Sequence, residues 1–168
     1  MNLTWKNGPI IGILWAILRM WLGVQWLEAG LHKLTGGFDA GGFMKGAIAS
    51  AGGEHPAVQG WYAAFLHSVA LPNADVFSFK VAWGEVLVGL GLILGAATIT
   101  ALIAGAFKDM KFLLAGTTSI NPILYTIAII LLFAGAGAYY YGVDRFGIRY
   151  IKDRDGKGIA NKHAMVHL

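Results

Sequence analysis

The chain has 168 residues, of which 57% are hydrophobic and only 13% are charged, and its mean hydropathy is +0.60. Soluble domains contain roughly 25% charged residues, so this composition excludes an ordinary soluble protein and indicates an integral membrane protein. The chain contains no cysteine, which excludes disulfides, thiol catalysis and iron–sulfur clusters, and its net charge of +4 is unevenly placed.

Four hydrophobic segments approach the ~20 residues that a helix needs to cross a bilayer. They cover about residues 9–31, 77–97, 98–116 and 122–141. The first segment does not fit a cleaved signal peptide, because its apolar stretch is too long and contains Arg19. The sequence therefore predicts an all-α membrane protein, with a single four-transmembrane-helix bundle over residues 1–146.

The external segment between the first two spans, residues 36–72, contains two amphipathic patterns. Apolar residues recur at helical spacing after Pro56, and a weaker stripe follows Asp39. The stronger stripe is Val58, Trp61, Tyr62, Phe65, Leu66 and Val69, and the weaker one is Phe43, Met44, Ala47, Ile48 and Ala51. We expect two short helices that lie on the outer interface or cap the bundle, either packing only or forming a lid over a site.

The connections between the later spans are short. The uncharged link from Gly95 to Thr98 predicts a tight antiparallel hairpin of spans two and three. Asn121 suits a helix N-cap and Pro122 suits the first helical position, so we expect the fourth helix to begin there.

Residues 147–168 form a tail with a basic excess that begins after Tyr141. Beside a membrane segment, this charge favours a cytoplasmic tail that follows the positive-inside rule over a nucleic-acid-binding tail. Four spans place both termini on the cytoplasmic side, and Lys6 agrees with that orientation. We therefore predict a multi-pass cell-membrane protein whose partners are the lipid bilayer and other membrane subunits or further copies of itself, without nucleic acid.

Six ionisable residues lie inside the predicted spans, where a charge is costly unless it faces a polar interior. They are Arg19, Glu28, Glu85, Lys108, Asp109 and Lys111. At 1.5 Å of rise per residue, all except Arg19 lie about 6 to 12 Å from the outer ends of their helices. Helical spacing also places Trp21, Gln25, Glu28 and His32 on one face of the first helix. We predict a polar chamber near the extracytoplasmic side, formed by helices one, two and three.

The charged cluster also has a structural explanation. Ion pairs such as Glu28 or Glu85 with Lys111 would hold the helices together, beside small-residue packing. Five charges at one depth favour a functional cavity over that alternative. Carboxylates and histidine relay protons, lysines attract anions, and aromatic rings sandwich a planar headgroup. This set fits a site where a membrane quinone meets an external anion, and it also fits a general lipid or solute pocket.

No haem, metal or iron–sulfur centre is expected in this chain. Thiolate ligands are absent, and of five histidines only His32 adjoins an apolar run. Redox chemistry here would therefore use a bound organic molecule, such as quinone as a substrate, or a centre in a partner.

Several segments between about residues 10 and 146 match one known family. They are Leu18–Leu34, the turn Gly36-Gly37-Phe38, His55-Pro56, the stretch 79–95 around Trp83-Gly84-Glu85, and the run 112–116 with Asn121-Pro122. These segments resemble the DoxX family of small four-helix membrane proteins, and more specifically its DoxD-type, thiosulfate dehydrogenase (quinone) branch. The chain departs from these relatives at residues 107–111, where they tend to have asparagine and apolar residues.

The resemblance implies a membrane redox subunit that oxidises an external sulfur anion such as thiosulfate and reduces membrane quinone. An enzyme of this type has a second, smaller subunit, so whether this chain is itself the enzyme stays open. The alternative is a non-catalytic accessory or assembly subunit of a larger respiratory or oxidative-stress membrane complex. A transporter is the weakest alternative, since four spans without an inverted repeat leave little room for alternating access.

Under the redox hypothesis, the candidate catalytic residues are Glu28, Glu85 and His32. The candidate substrate-binding residues attract the anion or pack against the quinone, and they are Arg19, Gln25, Lys33, Lys80, Lys108, Asp109, Lys111, Trp21, Trp26 and Trp83. The structural alternative is that Lys33 and Lys80 extend to the interface and that tryptophans near span ends anchor the helices there.

Overall fold

The computed structural model describes residues 8–150, and all regular secondary structure in that part is helical. The helices are α1 Pro9–Thr35, α2 Ala40–Ala49, α3 Gly60–Phe65, α4 Ala74–Leu94, α5 Thr98–Leu114 and α6 Asn121–Ala134. Residues 143–150 form a further helical segment at the end of the described chain. Lys6 and residues 151–168 of the predicted tail lie outside the described residues.

Within residues 8–150, two helical stretches are long and apolar enough to cross a bilayer, as judged by length and composition. They are α1 and the continuous stretch Gly60–Leu94. The stretch Asn121–Gly137 is apolar but shorter. Helix α5 has 17 residues and includes Lys108, Asp109 and Lys111, which lower its hydropathy.

The second span is longer than the sequence indicates, because α3 continues into α4 without a break. We expected the external segment to end at residue 72 and the second span to begin at about residue 77. Pro72, which lacks a backbone N–H donor, lies at this boundary. The structure instead places a π-helical turn at Leu66–Ala70 and a 3₁₀ turn at Leu71–Asn73. These turns change the hydrogen-bond spacing around the proline, so the chain stays helical through it.

Asp39 immediately precedes α2, and its carboxylate caps the helix. The backbone N–H groups of Gly41 and Gly42 donate to the two carboxylate oxygens at 2.8 and 2.9 Å. The N–H of Ala40 donates to the hydroxyl oxygen of Ser78 in α4 at 3.0 Å. This bond fixes the start of α2 against the second span.

Helices α1 and α4 approach closely because glycines line their contact. A Cβ atom added at Gly89 would lie 2.5 Å from the backbone nitrogen of Leu27, and one added at Gly30 would lie 2.7 Å from that of Val86. Small residues allow such backbone contact between membrane helices. The approach places the outer half of α1 directly beside the residues of α4 around Glu85.

Two apolar clusters form the interior of the part of the chain that the structure describes. The larger lies between α1, α4, α5 and α6, and includes Leu22, Trp26, Leu92, Leu102, Leu124 and Leu131. The smaller joins α2, α3 and the following turn to the end of α5, and includes Met44, Tyr62, Leu66, Ala70 and Ala115. The second cluster fixes the segment between α1 and α4 onto one end of the bundle.

Asp144 closes the other end, where α4 turns into α5. Its carboxylate accepts hydrogen bonds from the backbone N–H groups of Ala97 at 2.7 Å and Thr98 at 2.6 Å. Helix α5 has no capping side chain of its own, so Asp144 serves as its cap from 46 residues away. Nearby, the buried Arg19 donates from Nη2 to the carbonyl oxygen of Tyr141 at 2.8 Å.

Replacing Asp144 with asparagine is expected to lower the free energy of unfolding by about 1–2 kcal/mol at pH 7, since an amide has one acceptor oxygen and leaves one of the two backbone N–H groups without its partner. Burial alone would raise the pKa of Asp144, but the bonds from Thr98 and Ala97 and the charge of Arg19 outweigh it and lower that pKa. The stabilisation is therefore present above the unfolded-state pKa and is lost as pH falls through the folded-state pKa. Thermal unfolding in detergent at a series of acidic pH values measures this stabilisation.

The matched control is Glu54→Gln, which neutralises an exposed carboxylate in a loop. That variant is expected to stay within about 0.5 kcal/mol of the wild type. Below the folded-state pKa of Asp144, the wild type and Asp144→Asn should unfold alike. Equal stability of the two variants at pH 7 would contradict the capping role.

Candidate functional site

A polar chamber opens at the end of the bundle away from Asp144, where α1 ends and α6 begins. Its cavity volume is about 690 Å³. The lining comes from α1, α2, α4, α5, α6 and the loops between them, and consists of Gln25, Trp26, Glu28, Ala29, His32, Lys33, Gly36, Phe38, Phe43, Glu85, Phe112, Thr117, Ser119, Ile120, Asn121 and Leu124.

Helix α1 supplies most of the polar side chains of the chamber. Gln25, Glu28 and His32 all line it, which agrees with their predicted common face. Glu28 and His32 are exposed at the mouth, and Gln25 is half-buried further in. Trp21 was expected on the same face. It lies one turn before Gln25 in α1, is exposed, and does not line the chamber.

A charged triad of Lys33, Glu85 and Lys108 lies beside the chamber, which Lys33 and Glu85 line. Glu85 is 1% exposed, and its Oε2 accepts a hydrogen bond from Lys33 Nζ at 2.7 Å. Lys108 Nζ lies 4.0 Å from Oε1 of the same carboxylate and donates to the carbonyl oxygen of Val81 at 2.8 Å. One buried carboxylate thus links α1, α4 and α5 through two cations.

The triad differs from the ion pairs that the sequence indicates. If the charges only hold the helices together, the sequence suggests ion pairs of Glu28 or Glu85 with Lys111. Glu85 is instead paired with Lys33 and Lys108, and Glu28 has no ion pair within residues 8–150. The partner of a carboxylate depends on how the helices cross, which spacing along one helix does not determine.

Three phenylalanines form a wall beside the triad. The rings of Phe43 and Phe112 meet edge to face with centroids 5.7 Å apart, and Phe38 lies 6.5 Å from Phe43. Lys33 Nζ lies 5.7 Å from the ring centroids of both Phe38 and Phe112. The ammonium group therefore has favourable contact with aromatic faces as well as with Glu85.

A second, aromatic cavity of about 210 Å³ lies on the other side of this wall. It is lined by Phe38, Ala40, Phe43, Met44, Tyr62, Phe65, Leu66, Ala70, Phe77, Val81, Phe107, Lys108, Lys111 and Phe112. Phe38, Phe43 and Phe112 therefore border both cavities. Lys108 and Lys111 are the charged members of the aromatic cavity.

Asp109 is fully buried beside the triad. Neither of its carboxylate oxygens has a hydrogen-bond partner among the described residues, and the same holds for the indole nitrogen of the buried Trp26. Its charge interacts with those of Glu85 and Lys108. Asp109 lines neither cavity directly, so the structure places it behind the triad rather than in contact with a bound molecule.

The structure leaves four other predicted binding residues away from both cavities. Trp21, Trp83 and Lys80 are exposed on the bundle surface, where Trp83 packs near Phe79 with ring centroids 6.2 Å apart. Arg19 lies toward the opposite end, bound to Tyr141. The chamber brings together Gln25, Trp26, Glu28, His32, Lys33 and Glu85, and the aromatic cavity brings together Lys108 and Lys111.

Sequence reasoning missed the phenylalanine wall and the polar groups of the loop before α6. Phe38 follows the Gly36-Gly37 turn, which was a usable signal for a bend toward the bundle. Asn121 was predicted as an N-cap, but α6 already begins at Asn121 and its side-chain amide donates to the Thr117 carbonyl at 3.0 Å. This residue therefore shapes the chamber rim.

A model of the DoxX family matches residues 14–121, which is more than half of the chain. The chain belongs to the DoxX family, as the sequence motifs predicted. The matched range contains the charged triad, the phenylalanine wall and every chamber residue except Leu124. No curated protein and no solved structure matches the chain.

Proposed function

We propose that this DoxX-family membrane protein is a redox subunit of the DoxD type. It couples oxidation of an external sulfur anion such as thiosulfate to reduction of membrane quinone. The observation that supports this most is the pair of adjacent cavities, one polar with a cation facing it and one aromatic. They share a single layer of phenylalanine rings beside a buried charged triad.

The reaction requires three things of the site. Two thiosulfate dianions lose two electrons and form the central sulfur–sulfur bond of tetrathionate. The quinone takes up those two electrons together with two protons and becomes quinol. The site must therefore hold an anion, hold a ring and supply protons.

The chamber side chains suit the first and third of these tasks. Lys33 faces the chamber and supplies the ammonium group that would contact the anion. Gln25 and Asn121 add amide donors, and Glu28 and His32 at the mouth exchange protons with water. Glu85 lies between the chamber and Lys108, where it passes a proton toward the aromatic cavity.

We extend the proposal to topology, with α1, α4, α5 and α6 as four spans and both termini in the cytoplasm. Helix α5 rises only about 25 Å, so its charged outer end would lie near the headgroups. Arg145 and Arg149 follow α6 at the end away from the chamber, which agrees with a cytoplasmic location for that end. The chamber then faces outward, within reach of a soluble anion.

Purified protein in lipid nanodiscs, given thiosulfate and a short-chain quinone, should form quinol in a thiosulfate-dependent reaction. Lys33→Gln is expected to lower kcat/KM for thiosulfate by about 100-fold, because it removes the cation that faces the anion. Lys45→Gln changes an exposed lysine outside both cavities and should leave turnover unchanged. Quinol is followed by its ultraviolet absorbance.

No thiosulfate-dependent quinol from either the wild type or Glu28→Gln would contradict catalysis by this chain alone. The second candidate function, a non-catalytic accessory or assembly subunit, would then be favoured. The exposure of Trp61 supports this second candidate. Its side chain is 60% exposed on α3, and its indole N–H donates to the side-chain oxygen of Gln59 at 2.6 Å. Exposed aromatic side chains of this kind are common where a protein partner packs.

A further inference from the structure

We infer that the aromatic cavity binds the planar ring of a lipid-soluble compound of the quinone class, and that Lys111 donates a hydrogen bond to a ring oxygen. This inference rests on the proposed function, which requires such an oxidant. It replaces the sequence-based expectation that the quinone packs against Trp21, Trp26 or Trp83. Trp21 and Trp83 line neither cavity, and Trp26 lines the polar chamber.

The lining of the cavity favours a flat ring. Half of its fourteen residues are aromatic, namely Phe38, Phe43, Tyr62, Phe65, Phe77, Phe107 and Phe112. Aromatic side chains pack against a planar ring in offset or edge-to-face geometry. The volume of about 210 Å³ accommodates one substituted ring but is smaller than the ~300 Å³ at which sites for drug-sized ligands begin.

The exposed side chains of the cavity lining are apolar. Phe65 of α3 is 39% exposed and Phe107 of α5 is 54% exposed, and both belong to the lining. In a bilayer these side chains contact lipid, so a ring enters here while its hydrocarbon tail stays outside. The chamber mouth differs, because Glu28 and His32 make it polar.

The two lysines of the cavity have different surroundings. Lys108 Nζ is bonded to the Val81 carbonyl and faces Glu85. Lys111 Nζ lies 4.7 Å from the Phe107 ring centroid and has no hydrogen bond or ion pair with any residue of 8–150. An ammonium group that faces an apolar space without an acceptor is unfavourable.

A ring with carbonyl oxygens supplies the acceptor that Lys111 lacks. Tyr62 donates from its hydroxyl to the Lys111 carbonyl at 3.1 Å, which holds this turn of α5 against α3. A purely hydrocarbon ligand would leave the ammonium group unsatisfied. The combination of aromatic walls and one available cation therefore favours a quinone over an acyl chain.

The location of the site also suits electron transfer. The shared wall of Phe38, Phe43 and Phe112 separates a ring in this cavity from an anion in the chamber by one layer of side chains. Lys108 and Glu85 lie beside the same wall. The anion that donates electrons and the quinone that accepts them would thus lie close together in two separate cavities.

Photolabelling of the wild-type protein tests the location of the ring. A short-chain azidoquinone is photolysed with protein in nanodiscs without thiosulfate, and the adducts are mapped by mass spectrometry. Adducts are expected on peptides containing Met44, Tyr62 or Phe107, which border the aromatic cavity and not the chamber. Adducts confined to Trp21, Trp83 or the chamber residues of α1 would overturn the inference.

Binding measurements test the role of Lys111. Lys111→Met is expected to weaken quinone binding about ten-fold, since it removes a charged donor while keeping the side-chain length. Lys111→Arg should restore most of the affinity, and Lys45→Met, which alters an exposed lysine next to Met44, should match the wild type. Equal affinity of Lys111→Met and Lys45→Met, or tighter binding of a fatty acid than of quinone, would overturn the inference.

These experiments are independent of turnover. If the aromatic cavity is labelled but thiosulfate-dependent turnover is not observed, the quinone site stands and thiosulfate is the wrong electron donor. If turnover occurs while the cavity is unlabelled, the proposed function stands and this site is wrong.

Discussion

The Glu85→Gln variant is expected to lose about 3–5 kcal/mol of unfolding free energy, because removing one partner leaves buried charges uncompensated. In the wild type, the enclosed carboxylate faces Lys33 Nζ at 2.7 Å and Lys108 Nζ at 4.0 Å. Glutamine has nearly the same shape but no charge, so Lys33 and Lys108 lose the carboxylate with which both are paired. Denaturation by sodium dodecyl sulfate in mixed micelles measures the difference.

Two variants test whether the loss of stability comes from the broken ion pairs or from the removal of a carboxylate as such. Glu28→Gln neutralises an exposed side chain at the chamber mouth and should stay within about 0.5 kcal/mol of the wild type. Glu85→Gln combined with Lys33→Met removes one anion and one cation, and should recover about 1–2 kcal/mol relative to Glu85→Gln alone. If Glu85→Gln proves as stable as Glu28→Gln, the triad does not hold these helices together.

The Gly89→Ala variant is expected to destabilise the bundle by about 3 kcal/mol through overpacking. The new Cβ would lie 2.5 Å from the Leu27 nitrogen and 2.8 Å from the Gly23 carbonyl oxygen. Both neighbours are backbone atoms, so α1 must move away from α4 to accommodate the methyl group. The same mixed-micelle titration measures the effect.

Gly46→Ala is the matched control for this substitution. Gly46 lies within α2, and a Cβ added there meets no atom within 4 Å. Alanine should therefore be neutral or stabilise the protein by up to about 1 kcal/mol, as its higher helix propensity predicts. Equal behaviour of the two variants would show that α1 and α4 are not in backbone contact at Gly89.

The sequence predicts features that depend on one helix at a time. The common face of Gln25, Glu28 and His32 follows from helical spacing, and all three residues line the chamber. The same spacing extends this face to Trp21, but the lining ends at Gln25. Periodicity assigns a face to a residue and does not say how far along the helix a cavity reaches.

Features that depend on two helices were less predictable. Lys108 and Lys111 share a face of α5, and only the crossing of α4 and α5 directs Lys108 toward Glu85. The contact of Lys111 with Phe107 lies within α5, at the i, i+4 spacing that the sequence already contains. Arg19 was predicted to lie deeper than the other five charges, at 1.5 Å of rise per residue. Its hydrogen bond to the Tyr141 carbonyl joins positions 122 residues apart, which no local pattern indicates.

The same limit applies to Pro72 and Asp144. A proline in an apolar stretch favours a helix boundary, but the π and 3₁₀ turns around Pro72 keep α3 and α4 continuous. Asp144 belongs to the basic segment in sequence, yet it caps a helix that begins at Thr98. Both outcomes depend on tertiary contacts that local propensity does not contain.

Cysteine labelling tests most directly whether the polar chamber is open to water within the bundle. The wild-type chain has no cysteine, so each single substitution gives a signal without background. Ala29→Cys lines the chamber, and Ile17→Cys is exposed on the lipid-facing surface of α1. A charged, membrane-impermeant thiol reagent should modify Ala29→Cys at least about ten-fold faster in proteoliposomes, since reaction requires a hydrated thiolate. Equal rates at the two positions would contradict a water-filled chamber.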